Sequence, residues 1–213
     1  MTRVIAGEAG GRRLAVPPGT TTRPTSDRAR EGLFASLLSE LGDLAGKRVL
    51  DLYAGSGAVG LEALSRGAGD VLLVESDARA AAVIKTNVAT VGLKGATVVT
   101  DRAERVLARP PADGGLFNVA FADPPYAMAE TAVTRVLTLL AGGWLADGAL
   151  VVIERATRSG PLDWPPGYLP GKSRRYGEAT FWYGWYGSGA EAGEPQESVS
   201  RSALDALDKA HEE

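Results

Sequence analysis

The sequence is poor in residues that carry covalent or metal chemistry. None of its 213 residues is cysteine, and the one histidine, His211, lies next to the carboxyl end. Without thiols there are no disulfides, thiolate zinc sites or cysteine nucleophile, which is consistent with a reducing cytoplasm. A single terminal histidine also excludes a histidine-based catalytic triad or a histidine-ligated metal, so we expect no metal cofactor.

Long apolar runs are absent as well. No run is longer than that at residues 149–153, which is far too short to cross a bilayer. The opening residues, Met1 to Val4, lack the apolar core of a secretion signal. Since 45% hydrophobic and 23% charged residues are ordinary globular composition, we expect a cytoplasmic protein, with a monomer as the default.

Charge is distributed unevenly along the chain. The net charge is −3, but residues 188–213 alone hold seven acidic and two basic residues. The rest of the chain is therefore mildly basic, with six arginines in residues 1–31. This basic body is compatible with a partner that carries phosphates, although solvated surface arginines explain it equally well.

The apolar pattern predicts an α/β fold with a doubly wound, mostly parallel seven-stranded sheet of Rossmann-like type, preceded by a β-hairpin. Strands and helices alternate from residue 47 onward. The hairpin is predicted from strands at 3–6 and 12–16, and a helix follows Thr25 or Ser26 as its cap. Predicted sheet strands are 48–53, 71–74, 96–99, 117–122 and 149–153, then a hairpin of 172–176 and 179–185; predicted helices are 58–66, 78–91, 103–108 and 127–140.

The predicted domain organisation has three parts. Residues 1–24 form a hairpin and linker that extends the protein, residues 25–187 form the main domain, and residues 188–213 form an acidic tail that we expect to be disordered.

A glycine-rich loop follows the first strand of the alternating region. Gly55-x-Gly57-x-x-Gly60 lies between that strand and a predicted helix, and Glu75 ends the next strand 20 residues after Gly55. Glycines at such a turn let a ligand approach the backbone, and a carboxylate at that distance accepts hydrogen bonds from ribose hydroxyls. The pair indicates a nucleoside cofactor; a purely structural strand–helix turn is the alternative.

Asp51 helps to choose between cofactors. It ends the strand four residues before Gly55. A carboxylate repels the pyrophosphate of a dinucleotide but attracts the ammonium and sulfonium groups of S-adenosylmethionine (AdoMet). The alternative role for Asp51 is to cap the loop.

A second motif, Asp123-Pro124-Pro125-Tyr126, follows the apolar strand at 117–122. It is therefore expected at the carboxyl edge of the sheet, where open α/β sheets bind ligands. The Asp123 carboxylate and an exposed Pro124 carbonyl are two neighbouring acceptors that suit an NH₂ group, and Tyr126 offers a face on which a base can stack. A proline turn that merely ends a strand is the alternative.

These residues resemble a known family. Asp51 to Gly57 with a later Asp-Pro-Pro-Tyr is similar to AdoMet-dependent amino-group methyltransferases of class I. The opening segments, Arg3 to Gly7, Gly11 to Leu14 and Arg23 to Phe34, resemble the bacterial 16S ribosomal RNA guanine-N2 methyltransferases of the RsmD family. The resemblance covers residues 3–186 and implies methyl transfer from AdoMet to the exocyclic N2 of a guanine in small-subunit ribosomal RNA.

The resemblance also implies roles for individual residues. Asp123 to Tyr126 would receive a flipped guanine, Glu75 would hold the ribose, and Asp101 and Arg102 would flank the adenine. The implied cofactor-binding set is Asp51, Tyr53, Ala54, Gly55, Ser56, Gly57, Glu75, Asp101, Arg102 and Asp123. RNA phosphates would be bound by basic residues at both ends of the body, namely Arg12, Arg13, Arg23, Arg28, Arg30, Lys172, Arg174 and Arg175.

Several alternatives remain open from the residues alone. Arg28 and Arg30 lie near the predicted helix cap and are equally well placed as helix-surface residues, and Arg23 is an alternative cofactor neighbour. A protein glutamine or DNA adenine methyltransferase would share the catalytic loop. An NAD-dependent oxidoreductase is disfavoured by Asp51, and a non-catalytic nucleoside-binding module requires that the Asp123 loop is not an active site. Naked RNA and a small-subunit assembly particle are both open as substrates.

Overall fold

The computed structural model describes residues 2–17 and 26–187. Its elements are β1 (Thr2–Arg3), β2 (Arg13–Leu14), α1 (Asp27–Leu41), β3 (Arg48–Leu52), α2 (Ala58–Ser65), β4 (Asp70–Glu75), α3 (Ala78–Val91), β5 (Ala96–Thr100), α4 (Ala103–Leu107), β6 (Phe117–Ala122), α5 (Glu130–Ala141), β7 (Leu145–Ala156), β8 (Tyr168–Tyr176) and β9 (Ala179–Tyr186), with a short 3₁₀ turn at Thr157–Ser159. The predicted linker after residue 17 and the acidic tail lie outside the described residues, as does Arg23.

Seven strands form one mixed sheet in the order β5-β4-β3-β6-β7-β9-β8. The strands from β5 to β7 are parallel, whereas β9 and β8 join antiparallel. The predicted fold class is confirmed. Because the chain runs outward from β3 to β5 and then returns to β6 on the other side of β3, the carboxyl ends of β3 and β6 flank a topological switch point, where such sheets bind ligands.

Helices cover both faces of the sheet. The first face packs Leu33 and Phe34 of α1, Leu64 of α2 and Ile84 of α3 against alternate strand residues. The second face packs Leu107 of α4 and the apolar side of α5 against the residues in between. Strands covered on both faces must be apolar throughout, which explains the continuous hydrophobic runs that predicted them.

Several predicted boundaries are wrong: the strands at 3–6 and 12–16 shorten to 2–3 and 13–14, and those predicted from 149 and 172 begin at Leu145 and Tyr168. Two further differences have clear physical reasons. The helix predicted from residue 127 begins at Glu130, because the proline loop continues into a turn in which the Met128 N–H bonds the Pro125 carbonyl at 2.8 Å. The strand predicted at 149–153 extends to Ala156, because β7 pairs with β9 along its carboxyl half and buries Glu154 and Arg155.

The amino-terminal hairpin is attached to the main domain through a buried ion network. Glu62 of α2 accepts the N–H groups of Ile5 and Ala6 at 2.6 and 3.0 Å and pairs with Arg66 at 2.7 Å. Arg30 of α1 donates to the Thr2 hydroxyl and the Arg3 carbonyl, and its Nε lies 4.0 Å from Glu62. The hairpin therefore packs as part of the domain.

Arg30 is fully buried in this network. Its assignment to the RNA-contacting set is therefore wrong, since its guanidinium is enclosed by protein acceptors. Within the described residues, no helix combines the length and apolar character needed to span a membrane.

We expect Arg30→Met to lower the free energy of unfolding by about 3–5 kcal/mol, because it leaves the Glu62 carboxylate buried beside one fewer cation. The matched control is Arg28→Met on the same helix, where the side chain is exposed and the change should stay within about 0.5 kcal/mol. Urea unfolding of both variants gives the comparison, and equal losses would contradict the role of the network.

Candidate active site

The glycine loop and the proline loop leave the sheet side by side. Leu52 of β3 and Ala122 of β6 are paired in register, and the Asp123 N–H donates to the Leu52 carbonyl at 3.4 Å. The two motifs, which are more than 60 residues apart in sequence, thus open onto the same crevice at the switch point.

The glycine loop is held in a tight, specified shape. Tyr53 adopts a left-handed backbone conformation with φ of 59°, which strains a residue with a side chain. The Ala54 N–H bonds the Val74 carbonyl at 3.0 Å, and the Gly57 N–H bonds the Ala54 carbonyl at 2.7 Å. The loop backbone is therefore fixed before any ligand arrives.

Asp51 lies under this loop and is only 1% exposed. Its Oδ2 accepts the Gly60 N–H at 2.8 Å, and a Cβ on Gly60 would come within 3.1 Å of that oxygen and closer still to Val71 and Leu73. Burial raises the pKa of Asp51 to about 7, with a further contribution from the charge of Glu75. Asp51 thus does cap the loop, but an ionised carboxylate accepts about four hydrogen bonds, so it retains capacity for a cation.

Glu75 joins the end of β4 to the same loop. Its Oε2 accepts the Gly55 N–H at 2.9 Å, and its Oε1 accepts the Asp77 N–H at 2.8 Å. The side chain is half-buried. These bonds fix the carboxylate at the loop and leave lone pairs for the hydroxyls of a ribose.

Asp101 and Arg102 follow β5, one strand further along the same edge. Asp101 accepts the Arg102 N–H at 2.8 Å and pairs with Arg105 at 3.2 Å. Their position is compatible with the outer end of an extended nucleoside, while the contacts of Asp101 are local to its own turn.

In the proline loop, Asp123 is partly covered and its pKa is raised well above the ordinary value, first by burial and then by the charges of Glu154 and Asp51. Pro124 is a buried residue, whereas the sequence predicts an exposed carbonyl there. Its ring lines a small apolar space with Tyr53, Met128 and other core side chains, which anchors the loop. Tyr126 is 44% exposed.

Three polar residues that sequence reasoning missed hold this site together. Glu154 and Arg155 are buried at the end of β7. Arg155 binds the Met128 carbonyl at 3.2 Å and Glu130 at 2.8 Å, so it clamps the far end of the proline loop. Asn87 of α3 donates to the Ser56 carbonyl at 2.8 Å and exchanges two bonds with the Ala15 backbone. A charged pair directly after an apolar strand was the available signal for Glu154 and Arg155; Asn87 gave none.

The structure divides the predicted phosphate-binding residues. Arg12, Arg13, Arg28, Arg174 and Arg175 are exposed. Arg12 donates to the Val91 and Thr90 carbonyls at the end of α3, Arg175 donates to the Gly177 carbonyl of its own hairpin turn at 3.0 Å, and Lys172 pairs with Glu40 at 2.5 Å. Because Arg12 is bound across to α3, the other four exposed arginines are the better candidates. Among the described residues, no group of three or more acidic side chains and histidines is arranged to hold a metal ion.

A mixed sheet with this strand order, a glycine loop and an acidic residue after the second parallel strand defines a class I methyltransferase fold. The family model described as Conserved hypothetical protein 95 matches residues 2–185. The chain belongs to this family, the RsmD family of ribosomal RNA methyltransferases.

Individual relatives of known sequence or structure support this family membership. The chain is 39% identical over 167 residues to the ribosomal RNA small subunit methyltransferase D of Escherichia coli K12, and the match covers 76% of this chain and 80% of the relative. A solved structure of a candidate methyltransferase from Escherichia coli has a TM-score of 0.76 and 32% identity over 87% of this chain and 98% of its own. A hypothetical protein from Thermus thermophilus has a TM-score of 0.72 and 39% identity over 86% and 98%.

Asp51→Asn removes the buried charge but keeps an oxygen for the Gly60 N–H. The pKa of Asp51 is about 7 in the folded protein and 3.8 in its ordinary state. Between these two pH values, the folded protein therefore holds a proton on Asp51 that the unfolded protein has released. The free energy of unfolding therefore falls as pH rises across this window. We expect Asp51→Asn to raise the melting temperature of the free protein by several degrees near pH ~8 and by much less near pH ~4.5. Thermal melts at both pH values test this, and the same gain at both would refute it.

Proposed function

We propose that this protein transfers a methyl group from S-adenosylmethionine to the exocyclic N2 of a guanine in small-subunit ribosomal RNA. The observation that carries the proposal is the adjacency of the Asp123 loop and the glycine loop at the switch point, where Asp123 bonds the end of β3. The RsmD-family membership supports the ribosomal RNA substrate and the guanine N2 position.

The residues of the glycine loop fit AdoMet. Glu75 is placed for the ribose and Asp51 for the positive methionine end, while the missing side chain of Gly60 lets α2 approach Asp51 closely. Carboxylates with raised pKa values favour a cationic ligand, because a nearby positive charge restores their ionised form. When bound, AdoMet supplies a methyl group made electrophilic by its sulfonium.

The proline loop supplies the groups that orient the amine. The Asp123 carboxylate accepts a hydrogen of the amine, which helps to direct the nitrogen lone pair toward the methyl donor, and Tyr126 stacks on the base. Burial and neighbouring charge make Asp123 a stronger base than an ordinary carboxylate. It is therefore suited to take the proton that the nitrogen loses as its new bond forms.

We place the RNA on the exposed arginines Arg13, Arg28, Arg174 and Arg175. The guanine must leave its stack to reach the crevice, as in other enzymes that act on a base. We propose that the protein acts as a monomer in the cytoplasm, on ribosomal RNA that is either free or part of an assembly particle.

Incubation with labelled AdoMet and a panel of small ribosomal particles, free ribosomal RNA, DNA and protein tests the proposal. N2-methylguanosine in digested ribosomal RNA is the expected product, and label in adenine or glutamine would favour the alternative enzymes.

Two substitutions should separate chemistry from cofactor binding. Asp123→Asn should lower kcat at least about 100-fold while the AdoMet dissociation constant changes only a few-fold, because Asp123 holds the amine and accepts its proton. Glu75→Gln should instead raise that dissociation constant about tenfold or more, because bonds to a charged acceptor are removed. Calorimetry measures the dissociation constant, and steady-state methylation assays measure kcat. Undiminished turnover in Asp123→Asn would remove Asp123 from the mechanism.

Arg174→Glu should weaken RNA binding and reduce the slope of log affinity against log salt by about one for each phosphate that the variant no longer binds. The charge-matched control is Arg135→Glu, which changes an exposed arginine on α5. Filter binding over a range of salt concentrations provides the slopes. Identical slopes in the two variants would exclude Arg174 from the RNA-binding surface.

A further inference from the structure

Glu154 is a buried acid that the proposed reaction has not used. It is 4% exposed and lies in β7, where it pairs in register with Phe181 of β9. The Phe181 side chain lies on the first face of the sheet, which α1, α2 and α3 cover, and so do those of Phe121 in β6 and Val49 in β3. Because side chains alternate along strands, Glu154 points to the same face as Asp51, two residues after Val49.

The strand register brings Glu154 beside Asp123. Ala122 of β6 pairs with Ile153 of β7, so the next residues on these parallel strands are Asp123 and Glu154. Neighbouring strands lie about 4.8 Å apart. The charge of Glu154 is the largest contribution after burial to the raised pKa of Asp123. Two carboxylates therefore lie next to each other at the point where the base is to be held.

Glu154 already accepts a hydrogen bond from the proline loop. The Tyr126 hydroxyl donates to it, and the charge of Glu154 contributes, after burial, to raising the Tyr126 pKa to about 12. Tyr126 lies in the irregular segment between β6 and α5 and is 44% exposed. A hydroxyl on an exposed loop residue is thus linked to the buried acid.

Guanine presents donors to such a pair of acids, and adenine does not. The guanine N2 amine lies beside an N1–H, so two neighbouring acceptors match two neighbouring donors. In adenine, the atom beside the amine is N1 with a lone pair, which a carboxylate repels. An acid that contacts only the amine does not make this distinction, whereas a second acid placed at N1 does.

We propose that Glu154 is the residue that selects guanine: it accepts the N1–H of the base whose N2 amine Asp123 holds, and the Tyr126 hydroxyl occupies this acid until the base enters. This inference rests on the proposed function. The Asp-Pro-Pro-Tyr loop is shared by methyltransferases that act on different amino groups, and Glu154 would explain why this protein acts on guanine.

The test uses the RNA substrate found in the panel assay, with its target guanine replaced by 2-aminopurine. That base keeps the 2-amino group but carries a lone pair at N1. Wild-type protein should prefer guanine by at least about 100-fold in kcat/KM, because the N1–H bond is replaced by repulsion. In Glu154→Gln, an amide can donate to the N1 lone pair, so the preference should narrow by at least about tenfold.

Tyr126→Phe is the matched control, since it keeps the ring and removes only the hydroxyl that binds Glu154. Its guanine preference should equal that of the wild type; a narrowing as large as that of Glu154→Gln would mean that Glu154 acts only by orienting Tyr126, which overturns the inference. An unchanged preference in Glu154→Gln also overturns it, while guanine methylation by the wild type keeps the proposed function intact. The wild-type comparison stands even if Glu154→Gln fails to fold, because equal rates on the two bases would by themselves refute selection at N1.

Discussion

Three carboxylates lie on one face of the sheet at its carboxyl edge: the buried Asp51 in β3, the partly covered Asp123 after β6 and the buried Glu154 in β7. Burial and the charge of Glu75 raise the pKa of Asp51 to about 7, while burial and the charges of Glu154 and Asp51 raise the pKa of Asp123 well above its ordinary value. Such a cluster stabilises nothing by itself, because charge is costly where water is excluded. It becomes favourable when a cation and hydrogen-bond donors enter, and an AdoMet sulfonium with a guanine amine supplies both.

The scaffold around this cluster explains why the cost is tolerated. The β3–β6 pairing, the Gly60 contact with Asp51 and the Arg155 clamp on Met128 fix the site from three sides. Asn87 and Glu62 attach the amino-terminal hairpin to the glycine loop and to α2. The amino-terminal hairpin, which we propose to contact RNA, is therefore linked by hydrogen bonds to the glycine loop, which we propose to bind the cofactor.

Much of the fold and the two loops could be predicted from the sequence, because apolar runs and glycine positions are local signals. The predicted bounds of α3 and β6 are the observed ones, and the adjacency of the two motifs follows from strand order at a switch point. What could not be predicted depends on partners distant in sequence. In the sequence, Arg30 has the pattern of a surface cation. Only the fold shows that it lies between Glu62 and the Arg3 carbonyl. The sequence around Glu154 is typical of a strand end, and only the fold shows that β7 continues past it, paired with β9.

The most direct test of the account is a crystal structure with an AdoMet analogue in which an amine replaces the methylsulfonium group. We expect the ribose hydroxyls on Glu75 and the amine nitrogen within about 2.7–3.2 Å of an Asp123 carboxylate oxygen, which is hydrogen-bond range. An analogue bound with its amine directed away from Asp123, or at another edge of the sheet, would contradict the claim that these acids form one methyl-transfer site.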